Sequence, residues 1–388
     1  MEITFKIVFY ISAFIIAWAM VGYPLSIKVI GSIYRKRKLE KDYSHLPTVT
    51  VMVVAHNEEK TILQKLNNII ELDYPEEKIR FLIASDNSTD ETNKIVKEFI
   101  NKHSDKSIRL YEVKERKGKT NAQNEAYKTV KTEYLVMTDA NAIMDSNSVK
   151  ELMAAFTSDE IVYVSGRLSI LNEEASDVSN AETSYWDSDL VVREIEGRIQ
   201  TITAGNGALY ACRTEEYYGF NPIECHDSAM PLFYALSGKR AIANHDAIAY
   251  EKAGEVIGDE FGRKVRMNRT ILREILPDVS ILNIFKYKWF SYFYFGHRTC
   301  RYLLWISHLS IFITNILLAQ QSWFYLMTLT GQVFFYLLGL LKVITKSKNK
   351  YLTLIYYYIV TIAAQWVGVY KMLTGQAKPF WEKAESTR

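Results

Sequence analysis

Residues 133–145 read EYLVMTDANAIMD, in which an apolar run, Tyr134–Met137, leads straight into Thr138, Asp139, Ala140 and Asn141. An acid two positions from a second oxygen donor, at the end of a buried strand, can hold a divalent cation on a diphosphate. The second donor here is an amide, so the same residues also read as a turn closing a strand. Three other segments carry groups of the same kind: HNEE at 56–59, SDNSTD at 85–90 and KERKGKT at 114–120. A charged, sugar-bearing nucleotide needs this mixture, with carboxylates for base and ribose and lysine plus a cation for the diphosphate. Asp227, at the start of HDSAMPLFYALSG, reads either as a helix N-cap or as a carboxylate available for general-base work. Arg263 and Arg266 are three apart and share a helix face, as an anion site or as a basic patch at a membrane surface.

The elements that must position these residues follow from periodicity. TVTVMVVA (48–55), IRFLIAS (79–85), IRLYEV (108–113) and EYLVMTD predict four strands. EEKTILQKLNNIIEL (58–72), ETNKIVKEFI behind a Ser88–Glu91 capping box, and TNAQNEAYKTV (120–130) predict the helices between them. This places Glu58 and Glu59 in a first helical turn, where acids also favour the macrodipole. Short apolar strands alternating with helices imply an α/β domain with a parallel sheet, and such sheets bind ligands beyond the carboxyl ends of their strands. Every polar segment named above follows a strand or ends one. No G-x-G-x-x-G opens the first helix and no G-x-x-x-x-G-K-[ST] occurs, which argues against a dinucleotide cofactor and a phosphate-loop NTPase.

The chain has 388 residues, 48% hydrophobic and 23% charged, enough for two folded regions and too apolar for disorder. A net charge of +3 is too small for a nucleic-acid surface. Cys212, Cys225 and Cys300 show neither metal spacing nor a disulfide framework, which fits a reducing compartment. His226, His245 and His297 are not spaced as a metal set, so no zinc is expected. The apolar residues concentrate at the ends. Residues 5–30 form a long run almost free of charge, a membrane span rather than a signal peptide, because no small-residue cleavage site follows. YRKRKLEK (34–41) should stay cytoplasmic, leaving the N-terminus outside. Residues 302–319, 322–343 and 351–372 read as three further spans, with a tight turn at Gln320-Gln321 and a basic loop, KSKNK, at 346–350. Counting spans puts the C-terminus outside, yet Lys371, Lys378, Lys383 and Arg388 prefer the inside, so one span is expected to be interfacial or re-entrant. Residues 285–302 mix aromatics with Lys and Arg, as a helix lying in the interface or an amphipathic helix on the soluble domain would.

VVAHNEE, SDNSTDET, KGKTNAQNEA, TDAN, YWDSDLVVREIEG with GNGALYACR, HDSAMPL and RKVRM occur in one order over roughly residues 48–300. In that order they resemble the membrane-bound family 2 glycosyltransferases, which include hyaluronan, cellulose and poly-N-acetylglucosamine synthases. The resemblance implies a Rossmann-like GT-A domain at 47–280, a transmembrane helix at 1–33, an interfacial segment at 281–301 and a membrane region with about three helices at 302–388. It implies an inverting transfer from a nucleotide sugar, a UDP-sugar by family habit, with Mg2+ or Mn2+. Glu58 and Asp86 match the acids holding the uridine, Lys119 the lysine near the nucleotide, and Asp139 and Asn141 the metal-contacting positions. Asp227 matches the general base, with His226 in place of the usual Glu before it. Arg263 and Arg266 match the diphosphate-binding element, and Trp186, Gly207 and Ala208 line the acceptor side. Met267 stands where polymerising members carry a tryptophan that helps bind acceptor, which bears on processive synthesis more than on transfer. The resemblance implies a plasma-membrane protein with a cytoplasmic catalytic domain. Its partners would be a glycan or lipid-linked acceptor, membrane lipid and polysaccharide export proteins, with no nucleic acid. A polyprenyl-phosphate glycosyltransferase and an inactive donor-binding subunit of a polysaccharide assembly are the alternatives.

Overall fold

The structure is a computed structural model that describes residues 1–34, 39–171, 177–252, 257–347 and 349–380, without the side chains of 177–187 and 257. The chain divides into two compact units. One gathers residues 1–30, 172–185 and 254–377; the other gathers 31–171, 186–253 and 378–388.

In chain order the elements are two N-terminal helices, a block of alternating strands and helices, and a helical C-terminal third. Helices α1 (Glu2–Ala17) and α2 (Tyr23–Ile33) are joined through a π-helical turn at Trp18–Gly22. The strands are β1 (Val49–Ala55), β2 (Ile79–Ser85), β3 (Ile108–Glu112), β4 (Tyr134–Asp139), β5 (Ile143–Met144), β6 (Ile161–Ile170), β7 (Leu209–Arg213) and β8 (Arg240–Glu251). Among them lie α3 (Ile62–Ile70), α4 (Thr92–Lys102), α5 (Lys119–Tyr127), α6 (Ser148–Ala154), α7 (Asp177–Ile199) and α8 (His226–Leu236). They form one eight-stranded sheet in the order β3-β2-β1-β4-β7-β6-β8-β5. The four strands expected from the sequence pair in parallel, with β1 in the middle of them. Beyond β4 the sheet turns mixed: β7 runs antiparallel to β4 and β6, while β6 and β8 are parallel.

Every residue of β1 is buried, as expected for a parallel strand covered on both faces. Its side chains divide with period two. Val49, Val51, Val53 and Ala55 join the core under α3 and α4, with Ile62, Leu66, Ile69, Val96 and Phe99. Met52 and Val54 face the other way, into a core with Ala122, Ala126, Met230 and Tyr234.

Two expected helix starts differ. α3 begins at Ile62, so Glu58 and Glu59 precede the helix instead of filling its first turn. The N-cap of α4 is Glu91, whose side chain makes no capping bond, and the Asp90 carboxylate accepts from the Thr92 N–H (3.0 Å), so the Ser88–Glu91 box does not form. Ser88 Oγ instead accepts from the Asn57 N–H (3.1 Å), and Asn57 Oδ1 accepts from the Thr89 N–H (2.8 Å). The loops after β1 and β2 thus hold each other. Asn57 and Asn87 take left-handed backbone (φ +53° for both), which Asn tolerates better than most residues.

The helical unit continues with α9 (Ile257–Met267), α10 (Ile271–Ile275), α11 (Ile284–Tyr287), α12 (Trp289–Phe293), α13 (Cys300–Tyr302), α14 (Leu304–Leu318), α15 (Trp323–Thr345) and α16 (Lys350–Leu373). Among the described residues, three helical stretches are long and apolar enough to cross a membrane: Glu2–Ile33, Trp323–Thr345 and Lys350–Leu373. Their outward faces are apolar, with Leu326, Met327, Phe334 and Leu337 exposed on α15 alone. The expected span at 302–319 is different. α14 has 15 residues, roughly 22 Å at 1.5 Å per residue and short of a ~30 Å hydrocarbon core. It meets Trp289–Tyr302 at a 60° bend, a broken span or a re-entrant loop. Polar bonds tie these helices together: His308 reaches the Tyr336 and Tyr358 hydroxyls (3.0 and 2.9 Å), and Thr328 donates to Asn315 (2.8 Å).

Candidate active site

The carboxyl ends of β1, β2 and β4 share one edge of the sheet. Asp86, directly after β2, is buried, and its carboxylate is closed by main chain: Oδ1 accepts from the Lys117 N–H (3.1 Å) and Oδ2 from the Gly118 N–H (2.9 Å). Gly118 needs its positive φ of +95° to turn the chain into α5. The chain returns to this loop at 378–380, where the Arg116 guanidinium lies 4.7 Å from the centre of the Phe380 ring. Glu58 is buried next to β1; its N–H donates to Thr92 Oγ1 (2.7 Å) and its carboxylate accepts from Thr61 Oγ1 (2.9 Å).

Asp139 ends β4, and the Ala142 N–H closes a turn back onto the Asp139 carbonyl (3.2 Å). The turn and the strand-end acid are therefore the same feature. The Asp139 carboxylate is paired with the Lys119 ammonium, which also donates to the Gly207 carbonyl (3.1 Å). A Cβ placed on Gly207 would lie 3.4 Å from Asp227 Oδ2 and 3.7 Å from Lys119 Nζ. Asp139, Lys119, Gly207 and Asp227 thus converge on one point. Burial opposes charge on Lys119, and the carboxylates of Asp139 and Asp227 outweigh it, holding the ammonium above the ordinary lysine range.

Asp227 stands inside the first turn of α8; the N-cap is Cys225, so the N-cap reading of Asp227 does not hold. Thr120 Oγ1 donates to the Glu224 carbonyl (2.6 Å) and Asn124 Nδ2 to the Phe220 carbonyl (2.7 Å), so α5 carries Lys119 and also secures the loop leading to Asp227. His226 points into the core. Its ring nitrogens meet the Tyr210 hydroxyl (3.0 Å) and the Tyr217 hydroxyl (3.4 Å), and burial, with Lys119 adding to it, pushes its pKa down to about 3. The residue in the Glu position of the motif is therefore a neutral packing group.

Three groups escaped sequence reasoning. Asp189 and Arg193, one helical turn apart on α7, form a buried ion pair (2.6 Å), and Arg193 donates to the Gly205 carbonyl, holding the loop that presents Gly207 and Ala208. Asn206 Oδ1 accepts from the Ala208 N–H (3.0 Å) within that loop. Lys65 is fully buried on α3, at a position i+3 from Ile62 and i−1 from Leu66. A lysine on the apolar face of an amphipathic helix was the available signal. Arg263 and Arg266 lie on α9, in the helical unit, where Arg263 binds buried Glu260 (2.7 and 3.0 Å). The Trp186 side chain lies outside the described residues.

The model of the glycosyl transferase family 2 matches residues 50–213. A poly-β-1,6-N-acetyl-D-glucosamine synthase of Staphylococcus epidermidis is 27% identical over 139 residues, 32% of either chain. A β-monoglucosyldiacylglycerol synthase of Nostoc sp. is 27% identical over 164 residues, 42% of this chain and 33% of that one. The matched segment therefore spans about a third of these relatives. Among solved structures, a mannosyltransferase from Pyrobaculum calidifontis in complex with GDP-Man and Mn2+ superposes with a TM-score of 0.74 at 21% identity, covering 95% of this chain and 99% of that one. That likeness gives the fold, and the matched segment contains every strand-end residue from Glu58 to Gly207. Residues 50–213 are thus similar to the glycosyl transferase family 2, and the fold is that of a GT-A domain.

Proposed function

We propose that this enzyme transfers a sugar from a nucleotide donor onto a glycan or lipid-linked acceptor, with inversion at the anomeric carbon, release of the nucleoside diphosphate and Asp227 as general base. The observation that carries the reading is the convergence of Asp139, Lys119 and Asp227 around Gly207. Inverting transfer needs a carboxylate that takes the acceptor hydroxyl proton as that oxygen attacks the anomeric carbon. It also needs positive charge where the diphosphate departs. Asp227 suits the first task, because its carboxylate stands beside Gly207 at the edge where Asp139 and Lys119 meet. Lys119 suits the second, since its ammonium is held charged by the same carboxylates.

The hard oxygens of Asp139 and Asn141 suit Mg2+ or Mn2+, and the pairing of Asp139 with an ammonium marks a place where a cation is favoured. A bound divalent ion would supply Lewis-acid stabilisation of the leaving diphosphate. Asp139 and Asn141 would hold it, while Asp86 and Glu58 would serve the nucleoside end. Gly207 and Ala208 would leave room for the acceptor. The basic segment after α2 supports a cytoplasmic catalytic domain on a plasma-membrane protein. The relatives named above make a polysaccharide and a glycolipid, which supports either acceptor class.

The test is nucleotide release by detergent-purified protein, screened over UDP- and GDP-sugars with Mn2+ or Mg2+. Glycan primers, diacylglycerol and polyprenyl phosphate serve as acceptors. Turnover should fall by about 10²–10⁴-fold in Asp227→Asn. Full activity of that variant would remove Asp227 from the base role, and turnover on polyprenyl phosphate alone would move the acceptor to a lipid phosphate.

A further inference from the structure

Lys65 is buried to 0% exposure on the face of α3 that packs against the sheet. An ammonium taken out of water is costly unless its donors are satisfied. Lys65 Nζ donates to the Thr138 hydroxyl (2.9 Å) and to the Ala142 carbonyl. Those two residues bracket the turn that carries Asp139 and Asn141. One helical turn further along α3, Asn68 forms a reciprocal pair with Met144: its Nδ2 donates to the Met144 carbonyl (2.8 Å) and its Oδ1 accepts from the Met144 N–H (2.9 Å). α3 therefore grips the chain at 138, 142 and 144. The charged groups acting on Lys65 are Asp139 and Glu251, the last residue of β8. A side chain so buried touches no substrate, and whatever it does passes through the turn.

We infer that Lys65 is a positioning residue for the cation-holding turn: by tying Thr138 to Ala142 from beneath, it fixes the direction in which Asp139 and Asn141 present their oxygens. The inference rests on the reading of those two residues as cation ligands. A lysine suits the task because its four-carbon stem reaches from the helix and its ammonium can bond two acceptors at once. A methionine would fill the volume, donate nothing, and leave the Thr138 hydroxyl and the Ala142 carbonyl without it.

The experiment is direct Mn2+ binding to the full-length protein in detergent, followed by electron paramagnetic resonance with UDP present, beside UDP binding in EDTA. In Lys65→Met the Mn2+ dissociation constant should rise about tenfold or more, the range typical of groups that orient metal ligands. UDP binding in EDTA should stay within about twofold, and excess Mn2+ should restore part of the turnover. Thr138→Val removes one acceptor, keeps the Ala142 bond, and should weaken Mn2+ about threefold to fivefold. A purely packing role would lower the melting temperature and leave Mn2+ affinity of the folded protein unchanged. Wild-type Mn2+ affinity in folded Lys65→Met overturns the inference, and so does wild-type affinity in Thr138→Val where Lys65→Met fails to fold. Failure of the wild type itself to bind Mn2+ with UDP would remove the cation reading of Asp139, and the inference with it.

Discussion

The aspartates at the ends of β2 and β4 flank the same strand, β1, and the fold treats them differently. Asp86 is enclosed by the main-chain amides of a loop 31 and 32 residues further on. Asp139 is only half-buried and faces a side-chain ammonium. A carboxylate bonded to main chain cannot change partners unless the loop moves. One balanced by a lysine can, because the lysine has four rotatable bonds and the turn behind the carboxylate is gripped from below. On the proposed function, the difference separates a pin that shapes the loop at 117–118 from a ligand whose cation could be exchanged.

The largest expected effect breaks the pair apart. Asp139→Ala should reduce turnover by roughly a thousandfold, the loss of several kcal/mol of leaving-group stabilisation, and should lower the thermal melt only modestly, because Asp227 still balances Lys119. Asp86→Ala should do the reverse to stability. It leaves two N–H groups without their acceptor at about 1–3 kcal/mol each, which a denaturation series on the purified protein will register. Equal melts for the two variants would erase the distinction. A smaller change is expected for Asn141→Asp. An added charged oxygen should tighten Mn2+ about threefold to tenfold, and a weaker site would show that Asn141 does not face the ion.

The smallest effect tests the neighbour of Asp227. His226 has its folded pKa pushed down to about 3, below the ordinary value of 6.5. The folded state then binds fewer protons than the unfolded one between those values, so stability should fall as pH drops below 6.5, by up to about 1.4 kcal/mol per pH unit. His226→Gln should flatten that slope in melts taken at pH 7, 6 and 5. An unchanged slope would place the acid sensitivity elsewhere.

How much was legible in the sequence follows from the range of each interaction. β1 to β4 were readable because each is a short apolar run bounded by polar residues, and period two assigned their faces. The mixed half was not. β6 and β8 pair with register shifts between Ile161 and Tyr163 and between Ser165 and Arg167, and the last four residues of β6 are only partly buried, so no clean alternation marks them. Ser88 looked like a helix cap because local spacing fits one, whereas a partner 31 residues away at Asn57 took its hydroxyl.

The sequence by itself determined which chemical groups stand at the strand ends, since a strand's end and its side-chain period are local properties. It also determined the apolar runs long enough to cross a membrane. Only the tertiary structure decided how those groups are spent: Asp86 on amides, Asp139 on Lys119, Lys65 beneath the turn, and Gly207 with Asp227 brought to the edge by β7 and α8. Those pairings join residues far apart in the chain, so they depend on strand order and helix packing, which no local pattern encodes.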